Sequence, residues 1–167
     1  MSVTLILGGA RSGKSRRAQT LAESAAPTRT FVATAEPFDD EMTARIAKHQ
    51  ADRGSGWSTL EAPLALVEAL EQTVKPGHVV LVDCLTLWLS NLVYRERDLK
   101  TEVKRFINGL TLPGDIILVS NEIGLGLVPE TALGREFRDQ QGWLNQAVAA
   151  ASDRVEFVAA GLPLTLK

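Results

Sequence analysis

Residues 3 to 15 read Val3-Thr4-Leu5-Ile6-Leu7-Gly8-Gly9-Ala10-Arg11-Ser12-Gly13-Lys14-Ser15, and this stretch decides how the remaining chain is read. An apolar run fit for a buried strand passes into a glycine-rich loop and then into helical sequence. Gly8 to Ser15 satisfies G-x-x-x-x-G-K-[ST] at every position, the pattern of a loop that wraps backbone N–H groups around phosphate oxygens. Gly8 and Gly13 are expected to supply backbone angles that other residues avoid. Lys14 is placed to reach the β- and γ-phosphates, the Ser15 hydroxyl to coordinate Mg²⁺, and the helix start adds its positive end.

Working outward, residues 14–25 carry Ala18, Leu21, Ala22 and Ala25 at helical spacing, and Pro27 follows where a helix stops. Residues 30–35 read as a second buried strand, which starts a βαβ pattern and so a parallel sheet. A helix is expected from Asp39 to about Arg53, with Met42 and Ile46 on one face and Arg45, His49 and Arg53 aligned along or beside it. Two permanent cations beside His49 favour the neutral imidazole. On spacing alone, His49 is either filler or functional, and Glu61, after a short strand at 57–60, is a solvated carboxylate.

Residues 63–70 read as a compact helix, and the Lys75-Pro76-Gly77 turn leaves His78 in a structural role. Val79-Val80-Leu81-Val82-Asp83 is a second diagnostic run: a strand that ends in a carboxylate suited to Mg²⁺ or its waters. An apolar helix is expected at 85–94, either core or subunit interface, and a charged helix at 98–110. The strand at 116–119 ends in Ser120-Asn121-Glu122, where polar groups and a glycine-bearing loop suit a ligand-facing edge. A long helix at 131–151 offers Phe137, Trp143 and Val148 to the core, and a strand at 155–160 precedes a tail.

With 167 residues, formal charge −2 and no basic run, the chain reads as one domain over 1–167 acting on a small ligand, with nucleic acid not expected. No stretch suits a signal peptide or a membrane span, so the cytoplasm is the expected compartment. Cys84 is the single cysteine, which excludes an internal disulfide and suits a small buried hydrophobe. The pattern is a three-layer α/β domain with a mostly parallel sheet.

Gly8 to Ser15, Ala33-Thr34-Ala35, the Asp39–Met42 run with Arg45, Ile46 and His49, Asp83 to Thr86, and Asn121-Glu122-Ile123-Gly124 with Val128-Pro129-Glu130 together resemble one family. It is the bifunctional adenosylcobinamide kinase/adenosylcobinamide-phosphate guanylyltransferases. The resemblance covers nearly the whole chain. It implies a RecA-like P-loop NTPase fold, homotrimers, and two reactions: phosphorylation of adenosylcobinamide with ATP or GTP, then transfer of GMP from GTP to adenosylcobinamide phosphate. By position it implies that Gly8, Gly9, Ala10, Arg11, Ser12, Gly13, Lys14 and Ser15 bind the triphosphate. Ala33, Thr34, Ala35, Gln50, Ala51, Asp52 and Arg53 would line the nucleotide site, Glu61 and Asp83 would complete it, and His49 would become guanylylated. Some members carry two adjacent histidines in this helix; Lys48 stands before His49 here. A single-step kinase, a GTP-operated switch and a non-catalytic nucleotide binder compete with this reading. The switch would need Asn-Lys-x-Asp and Asp-x-x-Gly motifs, and neither occurs.

Overall fold

The computed structural model describes residues 1–36, 54 and 56–167. Among them seven strands form one sheet: β1 (Ser2–Gly8), β2 (Arg29–Ala33), β3 (Trp57–Glu61), β4 (Val79–Asp83), β5 (Asp115–Asn121), β6 (Arg154–Ala159) and β7 (Leu162–Thr165). The helices between them are α1 (Lys14–Ala25), α2 (Leu66–Thr73), α3 (Leu85–Tyr94), α4 (Leu99–Gly109) and α5 (Ala132–Ala151). The sheet order is β3-β2-β4-β5-β1-β6-β7. All neighbours pair parallel except β6 and β7.

Strand alternation divides the apolar side chains between two faces. Leu5, Leu7, Val80, Val82, Ile116 and Leu118 face a core closed by α2, α3, α4 and α5. Ile6, Val79, Leu81, Ile117 and Val119 face the other side, where Ala18 and Ala22 let α1 pack closely. Three layers result, as the alternating pattern predicts, and β1 sits inside the sheet between β5 and β6, buried from Val3 to Gly8.

Three details depart from expectation. The helix expected at 63–70 runs from Leu66 to Thr73, because the Pro63 carbonyl accepts from Asn91 Nδ2 at 2.9 Å and the Leu64 carbonyl from Trp88 Nε1 at 3.1 Å. Those carbonyls are thereby taken out of a helical ladder. Trp143 is 60% exposed, and α5 turns Leu144 and Val148 inward beside the buried amides Gln141 and Asn145. The expected tail is a strand, β7, joined to β6 by Ala160 and Gly161, both at positive φ (51° and 80°) as a two-residue hairpin requires. For α3, expected as either core or subunit interface, the structure selects the first: Leu85, Trp88, Leu89 and Leu92 are all 1% exposed or less.

Candidate functional site

The phosphate loop leaves the end of β1 and closes at α1. Gly13 stands at φ 97° and caps α1 with no side-chain hydrogen bond, and no acidic residue occupies the first turn. The N–H groups and dipole of that helix end therefore face an unneutralised space, the condition for anion binding. Gly8 is required for a different reason from the one expected. Its φ is ordinary, but a Cβ there would lie 2.5 Å from both Ser12 Oγ and the Val158 carbonyl. Arg11 holds a left-handed φ of 54°, an unforeseen departure of the kind that clusters in ligand-binding loops.

Lys14 is 9% exposed, with its Nζ donating to the Gly9 carbonyl at 3.0 Å across the loop. Ser12 is also 9% exposed, and its hydroxyl has no hydrogen-bond partner among the described residues. The Ser12 carbonyl accepts from Gly161 N at 2.8 Å, which ties the β6–β7 tip to the loop. A cavity of 620 Å³ opens here, lined by Arg11, Ser12, Gly13, Lys14, Ser15, Arg16, Arg17, Thr20, Gly161 and Pro163.

On the other side of β1 lie the ends of β5, β4, β2 and β3. Register places Ala33 beside both Asp83 and Glu61. Thr34 binds both main-chain groups of the residue after Asp83: its Oγ1 accepts from Cys84 N at 2.8 Å and donates to Cys84 O at 2.7 Å. Asn91 Nδ2 donates to Thr34 O at 2.8 Å, and Thr86 Oγ1 accepts from Asn121 N at 2.9 Å. Asn145 Nδ2 holds the Asn121 carbonyl at 3.1 Å, and Glu122 N donates to Gly8 O at 3.0 Å. These ties fix the Asn121-Glu122 step against the start of the phosphate loop.

Burial, then the charge of Asp83, pushes the Cys84 thiol up to about 11, while Lys14 acts weakly in the opposite sense. The cation of the loop and the carboxylate of β4 thus both act on one residue between them. Cys84 is buried and unpaired, as expected of a small hydrophobe. His78 is buried, and its Nε2 lies 2.8 Å from Thr30 Oγ1, in keeping with a structural role.

The structure thus gathers Gly8 to Ser15 in one loop and aligns Ala33, Glu61 and Asp83 along the neighbouring strand ends. His49, Gln50, Ala51, Asp52 and Arg53 lie outside the described residues. Sequence reasoning missed Asn91, Thr86, Gln141 and Asn145. A polar residue inside the apolar run 85–94 was the available signal for Asn91. Gln141 and Asn145 looked like ordinary members of a mixed helix.

A family model described as cobinamide kinase / cobinamide phosphate guanyltransferase matches residues 4–166. The chain is 51% identical to the bifunctional adenosylcobalamin biosynthesis protein CobP of Pseudomonas aeruginosa, over 98% of this chain and 96% of that one. It is 36% identical to the bifunctional adenosylcobalamin biosynthesis protein CobU of Escherichia coli, over 98% of each. Among solved structures, it resembles the RadB recombinase at TM-score 0.55 and 15% identity, covering 93% of this chain and 73% of that one. It also resembles the flagellar accessory protein FlaH of Methanocaldococcus jannaschii at TM-score 0.52 and 16% identity, over 99% and 78%. Those likenesses concern the fold: a mostly parallel α/β sheet of the P-loop NTPase class.

Proposed function

The chain belongs to the cobinamide kinase / cobinamide phosphate guanyltransferase family and is an enzyme of cobalamin biosynthesis, and from that premise we propose that it carries out two transfers on one phosphate cradle. In the first, the hydroxyl oxygen of adenosylcobinamide attacks the γ-phosphorus of ATP or GTP. The β–γ bridging P–O bond breaks, a nucleoside diphosphate leaves and the hydroxyl loses its proton. Glu122 is the proposed acceptor, from its place beside Gly8. In the second, a nitrogen of neutral His49 attacks the α-phosphorus of GTP and pyrophosphate leaves. A phosphate oxygen of adenosylcobinamide phosphate then displaces His49 from the guanylyl group and gives adenosylcobinamide-GDP.

The observation that carries this reading is the phosphate loop itself: Lys14 held across it, an uncapped α1 terminus, and Asp83 two strands away at the same sheet edge. Lys14 and the loop N–H groups offset charge that develops on the γ-phosphate in one step and on departing pyrophosphate in the other. Ser15 and Asp83 offer the hard oxygen donors that suit Mg²⁺, and the ion when bound neutralises phosphate charge. Ala33, Thr34, Ala35, Gln50, Ala51, Asp52, Arg53 and Glu61 complete the proposed nucleotide site.

We also propose one catalytic domain over 1–167, working in the cytoplasm; no helix among the described residues is long and apolar enough to cross a membrane. A homotrimer is proposed on surface grounds rather than on α3. Leu127, Val128, Leu133 and Trp143 are each 60% exposed or more, and a groove of 890 Å³ lies between α4 and α5. Light scattering that shows only monomer at micromolar concentration would refute it.

The deciding experiment is incubation with α-labelled GTP. Wild type should retain label that survives alkali and is lost in acid, as a phosphorus–nitrogen bond requires. His49→Ala should retain none and lose guanylyl transfer, yet keep measurable phosphorylation of cobinamide. Covalent label on His49→Ala would move the nucleophile elsewhere.

A further inference from the structure

Strand β4 stops short of its neighbour. It ends with Asp83 opposite Val119, whereas β5 continues to Asn121, opposite Gly8 of β1. Successive residues of a strand direct their main-chain groups to opposite neighbours, and Glu122 N already donates to Gly8 O at 3.0 Å, so the N–H and C=O of Asn121 point to the side where β4 has ended. Both would be orphaned there. Two helices supply the partners: Thr86 Oγ1 of α3 accepts from Asn121 N at 2.9 Å, and Asn145 Nδ2 of α5 donates to Asn121 O at 3.1 Å.

The Asn145 amide is itself held in one orientation. Its Oδ1 accepts from Ser120 Oγ at 2.7 Å and from Gln141 Nε2 at 3.0 Å, and Gln141 Nε2 also donates to Ser120 Oγ at 3.0 Å. With two donors on Oδ1, Nδ2 is left to face the Asn121 carbonyl, and the bonds of this chain run one way and reinforce each other. Gln141 and Ser120 are 0% exposed and Asn145 6%, while Gln141 Oε1 has no hydrogen-bond partner among the described residues. A leucine would fill that space without burying a bare acceptor. What the amide adds is its donor, aimed at the group that orients Asn145.

The Asn121–Glu122 peptide is thereby held at both of its polar atoms, its oxygen by α5 and its N–H by the first glycine of the phosphate loop. The side chain that follows is held too: Glu122 Oε1 accepts from Gly124 N at 2.5 Å, and a Cβ on Gly124 would lie 2.8 Å from that oxygen. We propose that Asn145, oriented by Ser120 and Gln141, is a positioning residue for the kinase step, fixing the peptide from which the Glu122 carboxylate reaches the substrate hydroxyl. The inference rests on the two-reaction reading above, in which Glu122 takes the hydroxyl proton, and deepens it. A base displaced by about an ångström can lose on the order of 100-fold in rate, which gives an indirect tie of this kind its leverage.

The test compares Asn145→Leu with Glu122→Gln. Asn145→Asp is the second variant should leucine disturb folding, since it keeps the acceptor for Ser120 and Gln141 and loses only the donor. Glu122→Gln should lower the kinase kcat by roughly 10²-fold or more. Each Asn145 variant should lower it about tenfold, with the KM for ATP, the Kd for β,γ-imido-ATP and the rate of adduct formation from GTP all within about twofold of wild type, because none of these uses Glu122. Asn145→Leu combined with Glu122→Gln should be no slower than Glu122→Gln alone, as expected of a residue that acts through the other. Wild-type kcat in both Asn145 variants beside an impaired Glu122→Gln, multiplicative losses in the double variant, or a matching loss of nucleotide affinity or adduct formation overturns the positioning role and leaves the two-reaction reading standing. A wild-type rate in Glu122→Gln overturns the base assignment itself, and the positioning role with it.

Discussion

On the β5 side of β1 the strand ends are tied by uncharged bonds from buried side chains, whereas on the β6 side a carboxylate between two guanidiniums does the tying. The first group comprises Thr34, Thr86, Asn91 and Asn145, each 9% exposed or less, and each bonded to a main-chain group at the sheet edge. In the second, Arg17 of α1 donates twice to Glu156 at 2.8 and 2.9 Å, and Arg154 also donates to that carboxylate. Glu156 is 1% exposed, while Arg17 keeps 27% of its side chain in solvent. The difference teaches where each flank is sensitive. The neutral ties have no proton to gain or lose near neutrality, so they hold the Asp83 and Asn121 ends over a wide pH range. The ionic tie anchors the helix that carries Lys14 and loosens in acid.

The largest expected effect falls between the flanks. Lys14→Ala should lower both proposed activities by roughly 10²- to 10³-fold, since one cation stabilises charge in both transfers. Steady-state rates for each reaction check this. If either activity stays near wild type, the cradle is not shared and the two flanks serve separate sites.

Next comes the ionic tie. Arg17→Met should destabilise the fold by about 3 kcal/mol, because a buried carboxylate loses its bidentate partner. That corresponds to a fall in Tm of roughly 6–12 °C for a chain of this size. The hydrogen bond from Arg17, followed by its charge, holds the Glu156 carboxyl below its ordinary value against the opposing effect of burial. The stabilisation is therefore fully present above the unfolded carboxylate pKa of about 4.3 and is lost as pH falls through the lower folded value. Denaturation curves of wild type and variant should converge in acid, and a constant gap would show that the tie is not ionic in origin.

The neutral flank should behave oppositely. Asn91→Leu strips the donors from the Thr34 and Pro63 carbonyls, at about 2 kcal/mol. The loss should be the same at pH 5 and pH 8. A loss that varies with pH would mean that a titrating group shares this network.

What was legible in the sequence follows the same division. Strands and helices with strong periodicity, such as Val79–Asp83 and Ala132–Ala151, were readable because burial imposes their pattern locally. The phosphate loop was readable because its function lies in contiguous residues. The Thr34–Cys84 and Asn121–Asn145 ties join residues 50 and 24 positions apart, and a single sequence carries no mark of such pairing. Strand β7 was missed because its side chains are all exposed, so alternation gave no signal. Gly8 shows the limit in miniature. The motif identified the residue, but its reason is the Val158 carbonyl and Ser12 hydroxyl, one of them contributed by a strand 150 residues away.

The smallest expected effect lies at the far end of the strands, where His78 meets Thr30. Burial, and secondarily the charge of Lys75, moves the imidazole below its ordinary value. Because the folded state disfavours the charged ring, its contribution is present above the unfolded pKa of about 6.5 and declines as pH falls from there toward the lower folded value. His78→Gln can still reach the Thr30 hydroxyl but has no proton to take up. It should cost less than about 1 kcal/mol at pH 8, and the gap to wild type should narrow as the pH falls from 7 to 5. Neither proposed activity should change, because the bond sits at the amino ends of β2 and β4, away from the phosphate loop. If His78→Gln altered either transfer, the strand ends would be coupled through the sheet, and the separation of the two flanks would have to extend along their whole length.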